Sequence, residues 1–297
     1  MKPKKSLGQH FLTSTKALDT IVQSGDLSEA DTVLEIGPGK GALTSKLLEK
    51  GGTVLAVEKD RELFEFLKEK FVKEISENKL ILINGDILEF NISEVFSSFS
   101  NGDVAKQDIL RKTSKIFHYK IVANIPYNIT GAILKKFLTA ENQPERMILM
   151  VQHEVAKRIM ARDGKESILS ISVKAYGEPK IIIKVPARYF SPAPKVDSAI
   201  ISIKNISREK FTSPQPSPYK GEGGNRTVQD KSLNSQIFEE KFWKIVKAGF
   251  AHKRKKLSSN LKVLKFEKNI LTEKLGNKRA EDLTLSDWLA LTKMCYN

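Results

Sequence analysis

The sequence predicts a doubly wound α/β domain with a mostly parallel sheet, followed by a small all-helical C-terminal domain. From about residue 14 to residue 204, short β-rich runs alternate with segments that have helical apolar spacing. This alternation favours a parallel sheet, because parallel neighbours need a crossover that is usually a helix. From about Gln236 onward the apolar periodicity is helical only. Two neighbouring β-rich runs, "KIIIKVP" and "SAIISIK", predict an antiparallel hairpin at the C-terminal end of the sheet.

The predicted elements follow one another in a regular order. "TVLEIG" (Thr32 to Gly37) is the first strand, and "GALTSKLLEKG" is the helix after it. "GTVLAVEKD" and "RELFEFLKEKF" repeat this pair, and "KLILINGD" and "FHYKIVAN" are the third and fourth strands. A helix, a strand and a helix then follow in "TGAILKKFLTA", "RMILMVQ" and "HEVAKRIMA". The C-terminal helices are predicted in "IFEEKFWKIVKAGF", "KRKKLSSNLKVL" and "LSDWLALTKM".

Composition divides the chain into three parts. Residues 211–232 are rich in Pro, Gly, Ser and charge, with too few apolar side chains to offset the entropy of ordering. We therefore predict a first domain over 1–204, a flexible Pro/Gly-rich linker over 205–236 and a helical domain over 237–297. A second irregular stretch, around residues 96–115, is predicted to be an enlarged loop between the third and fourth strands.

Several classes of protein are excluded by composition. No run of about eighteen apolar residues occurs, and no apolar region follows the basic N-terminus, so we predict neither a membrane span nor a signal peptide. The single cysteine, Cys295, excludes an intramolecular disulfide and argues against a cysteine-based metal site. We expect a soluble, cytoplasmic protein without a metal centre.

The charge balance indicates a polyanionic partner. Fifty Lys and Arg against thirty-five Asp and Glu give a net charge of +15, which is typical of nucleic-acid binding but also of a lysine-rich proteome. Ten Lys or Arg residues and a single acid, Glu267, fall between Lys241 and Lys268. Apolar residues at near-helical spacing within this stretch predict a basic helical surface that binds RNA.

Glycines at the end of one predicted strand and carboxylates at the ends of the next two indicate a nucleoside site. Gly37, Gly39 and Ala42 formally match G-x-G-x-x-G/A where the first strand meets its helix, although glycines also end strands for steric reasons. Glu58 ends the second strand and suits ribose hydroxyls, or else caps a helix. Asp86 ends the third strand and suits an adenine amino group, or else forms an Asx-turn. NAD and S-adenosylmethionine both fit such a site.

The segment "NIPYNIT" after the fourth strand favours methyl transfer to an exocyclic amine. The Asn124 side-chain carbonyl and the Ile125 backbone carbonyl are two acceptors for the two amino hydrogens, which would stabilise the positive charge of the transition state. Pro126 stiffens the turn, and Tyr127 can stack on a base. The alternative is an Asx-Pro turn with a packed tyrosine.

Taken together, "EIGPG", "VEKD", "NGDI", "NIPYNI" and "YFSPAPKVDSAI", with "KKSLGQHFL" and "AHKRKKLSSNL" near the two ends, resemble the ribosomal RNA adenine dimethyltransferases. The resemblance covers nearly the whole chain. It implies a Rossmann-like, S-adenosylmethionine-dependent methyltransferase domain. The small-subunit branch is the more similar one, and it dimethylates two adjacent adenosines in a 3′-terminal hairpin of 16S rRNA. The alternatives are the large-subunit (23S rRNA) resistance branch and a non-catalytic RNA-binding assembly or transcription factor on the same fold.

The resemblance also implies roles for individual residues and a monomeric enzyme that works on the small ribosomal subunit or its precursor. Tyr127 and Phe190 would sandwich the flipped adenine, and Asn124 would touch both the cofactor and the target amine. Lys195 would contact a backbone phosphate or have a structural role in its proline-rich turn. The cofactor ligands implied are His10, Leu12, Gly37, Glu58, Asp86 and Asn124. The RNA contacts implied on the C-terminal domain are Lys253, Arg254, Lys255 and Lys256.

Overall fold

The computed structural model describes residues 3–4, 7–50, 52–91, 117–212, 228–264 and 273–296. Two compact units share these residues. The first, here called the sheet unit, takes residues up to 156 and then 178–206, and the second, the helical unit, takes 157–177 and residues from 207 onward. Residues 157–177 thus belong with the C-terminal helices although the chain reaches them between two strands of the sheet. The predicted loop at 96–115 and residues 213–227 of the predicted linker lie outside the described residues.

The predicted fold class is confirmed in the sheet unit. Its described residues form a seven-stranded sheet in the order β4-β3-β2-β5-β6-β9-β7, in which the first five strands are parallel and β9 runs antiparallel between β6 and β7. The predicted hairpin partners, β7 and β9, pair directly. The strands are β1 Phe11–Leu12, β2 Thr32–Ile36, β3 Thr53–Glu58, β4 Leu80–Asn84, β5 Lys120–Asn124, β6 Arg146–Gln152, β7 Glu178–Val185, β8 Phe190–Ser191 and β9 Ser198–Lys204.

The strand order changes direction at β2, and this change positions the site. The chain runs from β2 outward to β3 and β4, and then returns to add β5 on the opposite side of β2. A crevice opens at the carboxyl ends of such strands, between the two directions of winding. The central strands are nearly continuous apolar runs, as sheets covered by helices on both faces require.

The helices have local start signals. Ser14 caps the first helix by accepting a hydrogen bond from Ala17, and Asp60 caps the third by accepting one from Glu62. In the sheet unit the helices are α1 Thr15–Gly25, α2 Ala42–Leu48, α3 Arg61–Lys70, α4 Val72–Ser76 and α5 Thr130–Leu138, and α6 His153–Met160 crosses into the helical unit. The helical unit adds α7 Ile168–Lys174, α8 Val228–Gly249, α9 Leu257–Leu261, α10 Glu273–Gly276 and α11 Leu285–Tyr296. None of the described helices combines the length and apolar character of a membrane span.

The N-terminal residues pair with a distant part of the sheet unit. Phe11 and Leu12 form a short antiparallel ladder with Ser191 and Phe190. The backbone N–H of Thr13 extends this ladder by donating to the Tyr189 carbonyl at 2.8 Å. Sequence spacing does not reveal this pairing, because each strand is only two residues long and the two strands lie far apart in the chain.

The helical unit is built around buried aromatic side chains. Phe242, Trp288 and Tyr176 are fully buried, and the Trp243 indole N–H donates to the Tyr176 hydroxyl at 2.9 Å. The Tyr176 hydroxyl in turn donates to the Glu239 carboxylate. These contacts attach residues 157–177 to α8.

One prediction in this unit was wrong. Lys253–Lys256 do not lie on a helix, because they form an exposed turn and α9 begins only at Leu257. Lys256 has extended backbone angles, and the Asn260 side chain donates to the His252 carbonyl at 3.0 Å and also to the Gly249 carbonyl. These bonds hold the chain in the turn and interrupt the helix that the apolar spacing predicts.

Candidate cofactor and substrate site

A cavity of about 620 Å³ lies at the carboxyl ends of β2, β3, β4 and β5, within the sheet unit. Its walls come from the loops after these strands and from residues 7–13 of the N-terminal segment. The structure therefore brings together most of the residues implied by the family resemblance. Those that line the cavity are His10, Leu12, Gly37, Glu58, Asp86, Asn124 and Tyr127.

The glycine-rich turn after β2 approaches its neighbours closely. Gly39 and Gly41 both have positive φ angles, of 60° and 74°. A Cβ on Gly41 would lie 2.6 Å from the Phe71 ring, and one on Gly39 would lie 3.1 Å from the Phe11 ring. Only glycine fits these positions without strain, so the turn can present its backbone to the cavity.

Glu58 is held by the turn that it faces. Its carboxylate is 5% exposed and accepts hydrogen bonds from the Gly39 N–H at 3.0 Å and the Asp60 N–H at 2.8 Å. Burial raises the pKa of Glu58. Each carboxylate oxygen has two acceptor positions, so Glu58 still has room to accept ligand hydroxyls.

Glu35 is a second buried carboxyl group in the cavity, and no sequence motif assigns it a role. It is 1% exposed, and no donor among the described residues reaches its Oε2 atom. Burial raises the pKa of Glu35 to about 8. An unpaired buried acceptor suits a ligand with a cationic group, and the ammonium group of S-adenosylmethionine has that chemistry. The cavity therefore fits this cofactor, with Glu58 suited to the ribose.

Asp86 forms the Asx-turn that one of its two alternatives describes, and it also makes an ion pair. Its Oδ1 atom accepts from the Leu88 N–H at 2.9 Å, which is an Asx-turn, and its Oδ2 atom pairs with the Lys59 ammonium at 2.6 Å. The ion pair with Lys59 lowers the pKa of Asp86. The carboxylate still lines the cavity, so a role toward an adenine amino group stays a prediction.

The Asn124 side chain has a defined orientation. Its amide nitrogen donates to the His10 backbone carbonyl at 3.2 Å. Because the nitrogen makes this bond, the side-chain oxygen is the atom left to accept hydrogen bonds from a ligand. This is the orientation that acceptance of an amino hydrogen requires.

Tyr127 is fixed at both ends. Its hydroxyl is hydrogen-bonded to the hydroxyl of Ser198, a fully buried residue, and its carbonyl accepts from the Thr130 hydroxyl at 3.0 Å. The His10 ring lies nearly parallel to it, with centroids 6.0 Å apart, and its Nδ1–H donates to the Pro192 carbonyl at 2.8 Å. Burial raises the pKa of Tyr127, so its ring is a rigid, neutral platform.

Six of the residues with predicted roles lie away from the cavity walls. Phe190 is 4% exposed and packs with the core beneath the β1–β8 ladder, and the neighbouring Ser191 lines the cavity instead. Lys195 is exposed in the loop before β9. The basic turn, Lys253–Lys256, belongs to the helical unit and is fully exposed. The roles of these residues stay predictions. The described residues contain no cluster of His, Cys, Asp and Glu suited to a metal ion.

Comparison with known proteins gives a consistent result. The family model for ribosomal RNA adenine dimethylase matches residues 1–214. A protein of Dehalococcoides mccartyi strain CBDB1, named ribosomal RNA small subunit methyltransferase A, is 37% identical over 98% of this chain and 88% of its own length. A protein of the same name from Fusobacterium nucleatum is 33% identical over 99% of this chain and 97% of its own length.

Two solved structures share the fold. The 23S rRNA methyltransferase ErmE is 23% identical, with a TM-score of 0.66 over 97% of this chain and 100% of its own. A dimethyladenosine transferase from Plasmodium falciparum is also 23% identical, with a TM-score of 0.68 over 95% of this chain and 96% of its own. At this identity the likeness concerns the fold alone.

Proposed function

The chain belongs to the ribosomal RNA adenine dimethylase family, and from that premise we propose that it methylates adenine amino groups of the small-subunit rRNA with S-adenosylmethionine. The name shared by the bacterial relatives supports the small subunit as substrate. The finer proposal is N6-dimethylation of two adjacent adenosines in the 3′-terminal hairpin of 16S rRNA, by a monomer in the cytoplasm.

The cavity residues divide into a cofactor set and a substrate set. S-adenosylmethionine, when bound, supplies an electrophilic methyl group on a sulfonium centre. We assign Glu58 to the ribose hydroxyls, Asp86 to the adenine amino group and Glu35 to the ammonium group of the methionine part. Charged acceptors bind such donors more strongly than neutral ones do.

The target amine is activated by acceptors. Its lone pair is delocalised into the ring, so nucleophilic attack requires the nitrogen to become tetrahedral. The Asn124 side-chain oxygen and the Ile125 carbonyl accept the two amino hydrogens, favour that geometry and stabilise the positive charge that develops. No strong general base is needed, because the amine is acidic once it carries the new methyl group and can lose its proton to water. Tyr127 stacks on the base and aligns the nitrogen.

The orientation of the Asn124 amide is the observation that carries this proposal. An amide turned the other way would present N–H groups, which repel the amino hydrogens. The His10 carbonyl, which receives the Asn124 N–H at 3.2 Å, selects the productive orientation. A packed turn without catalytic function would not need it.

The test is methyl transfer from labelled S-adenosylmethionine to unmodified ribosomal subunits, with the labelled base mapped. We expect label on adenines of the small subunit. Label on the large subunit would support the resistance branch, and no label together with RNA binding would support an assembly factor.

A substitution tests the chemistry. Asn124→Ala is expected to lower turnover by about 10²–10³-fold, as for loss of one preorganised group at a transition state, with a much smaller effect on RNA affinity. Turnover is measured as the single-turnover rate at saturating cofactor. RNA affinity is measured in a separate titration. Turnover within about threefold of the unsubstituted enzyme would show that Asn124 does not polarise the amine.

A further inference from the structure

The N-terminal segment forms one wall of the cavity, although it enters none of the seven strands of the main sheet. Its residues 7–13 all line the cavity. Phe11 packs against the glycine turn at Gly39, and His10 orients Asn124 through its backbone carbonyl. Whatever holds this segment in place therefore acts on both the cofactor and the substrate side of the site.

Asp60 provides an attachment point for this segment. Its carboxylate is 4% exposed, and its two oxygens accept from the Lys4 ammonium at 2.7 Å and the Gln9 side-chain amide at 2.8 Å. The Gln9 side-chain oxygen also accepts from the Lys4 backbone N–H at 2.8 Å, so Lys4 and Gln9 are bonded to each other as well as to Asp60. Burial alone would raise the pKa of Asp60, but the bonds from Lys4 and Gln9 lower it, so the carboxylate is charged at neutral pH.

Helix capping does not account for this arrangement. Asp60 also caps α3 through a bond of 3.1 Å from the Glu62 N–H to Oδ1. A cap needs a single oxygen, and serine or asparagine would supply it. The buried second oxygen, the Gln9 amide and the Lys4 ammonium are additional, and they come from a segment more than fifty residues away.

Asp60 is also bonded to the residue assigned to the ribose. Its backbone N–H donates to the Glu58 carboxylate at 2.8 Å. Asp60, which binds the N-terminal segment, and Glu58, which is assigned to the ribose, are thus two residues apart in the turn from β3 to α3.

From these contacts we propose that Asp60 is a positioning residue, which latches Lys4 and Gln9 beside the cavity and so prolongs the lifetime of the bound cofactor. The identity of that cofactor rests on the proposed function. Charge-assisted bonds to a buried carboxylate are strong enough for their loss to change a dissociation rate on the order of tenfold. Affinity changes of this kind appear mostly in the dissociation rate.

The experiment measures the dissociation of tritium-labelled S-adenosylhomocysteine from the full chain, by a chase with excess unlabelled ligand and rapid filtration. Asp60→Asn and Lys4→Met are each expected to raise the dissociation rate on the order of tenfold. The double variant should be no faster than the faster single variant, because both changes break the same contact. Lys4→Met leaves the cap of α3 intact, so it tests the latch even if Asp60→Asn fails to fold.

Glu62→Gln is the matched control. Glu62 pairs with the same Lys4 ammonium at 3.1 Å, but its side chain is 65% exposed. The substitution Glu62→Gln removes one charged partner of Lys4 and leaves the Asp60 contacts intact. The dissociation rate of S-adenosylhomocysteine should therefore stay unchanged. Amide hydrogen exchange at Leu7, whose N–H donates to the Lys4 carbonyl, should accelerate in the latch variants and not in the control.

Dissociation rates within twofold of the unsubstituted protein in Lys4→Met, or rate effects that multiply in the double variant, would overturn the latch. Failure of the proposed function is distinguishable from failure of the latch. In that case the unsubstituted protein would show no calorimetric binding of S-adenosylhomocysteine or S-adenosylmethionine.

Discussion

Glu35 and Glu58 are buried carboxyl groups of one cavity with different surroundings. Glu58 accepts two backbone N–H groups, whereas Oε2 of Glu35 has no donor among the described residues. Burial, with a smaller contribution from the nearby charge of Glu58, raises the pKa of Glu35 to about 8. In the cofactor-free protein Glu35 is therefore mostly protonated at neutral pH, and a bound cation would favour its ionised form.

The raised pKa of Glu35 makes the free energy of unfolding depend on pH. The folded-state pKa of Glu35 lies above the unfolded value, so its protonated form adds stability that is complete below about pH 4.3 and is lost as pH rises toward 8. Glu35→Gln stays neutral throughout. We expect its free energy of unfolding, relative to the unsubstituted protein, to increase by at most about 1.4 kcal/mol per pH unit over this window and then to level off.

Urea unfolding of the cofactor-free protein at a series of pH values makes the measurement. Glu65→Gln is the control, because Glu65 is 54% exposed and has only a surface pairing with Lys68. Its unfolding free energy should run parallel to that of the unsubstituted protein. A pH-independent difference for Glu35→Gln would mean that Glu35 is ionised in the fold.

At the scale of elements, the sequence predicts the strands and helices that have a local pattern of apolar and polar residues. The strands before Glu58, Asp86 and Asn124 are apolar runs with polar residues at their ends, so their positions follow from the sequence. The carbonyl that orients Asn124 comes from His10, and the donors to Asp60 come from Lys4 and Gln9. Such partners lie too far along the chain for spacing to reveal them.

At the basic turn, local spacing predicts a helix that the structure does not contain. The C-terminal end of α8 approaches α11 so closely that a Cβ on Gly249 would lie 2.3 Å from the Trp288 ring. Asn260 then binds the carbonyls of Gly249 and His252. Tertiary contacts thus end α8, and apolar periodicity does not record them.

Gly249→Ala tests this packing. The added methyl group would meet the buried Trp288 ring, and overpacking of this kind costs about 1–3 kcal/mol. The two tryptophans of the chain, Trp243 and Trp288, both lie in the helical unit, so tryptophan fluorescence during urea unfolding reports on that unit.

Gly131→Ala is the matched control for this experiment. It lies near the start of α5, and nothing comes within 4 Å of the added Cβ. Because Gly131 lies in the sheet unit, the unfolding of both glycine variants is also followed by far-ultraviolet circular dichroism, which reports on both units. We expect no loss of stability for Gly131→Ala, and a gain of up to about 1 kcal/mol from helix propensity. Equal stability of both variants would show that the helix end at Gly249 tolerates a side chain.

At the scale of the whole molecule, the chemistry and the charge occupy different units. The cavity is built from the sheet unit, whereas the basic turn of Lys253, Arg254, Lys255 and Lys256 belongs to the helical unit. All four side chains are exposed, and none of them forms an ion pair with another described residue. Cations left without acidic partners are available to phosphates.

Replacing all four residues of the basic turn with Gln tests this separation. Each phosphate contact releases condensed counterions, so the slope of log affinity against log salt should flatten by about three to four units, at roughly one unit per contact. Cofactor affinity should stay unchanged, because the cavity residues belong to the sheet unit. The measurement is binding to small-subunit rRNA at several salt concentrations, with calorimetry for the cofactor.

A control with the same loss of charge separates local contacts from net charge. Lys50, Lys68, Lys73 and Lys79 are exposed lysines of the sheet unit, and their replacement with Gln also removes four positive charges. If the high net charge alone attracts the RNA, both fourfold variants should flatten the salt plot equally. If phosphates bind the basic turn, only the first variant should do so. Parallel salt plots for the unsubstituted protein and the turn variant would mean that the turn serves solubility, and the docking surface would then have to be sought elsewhere.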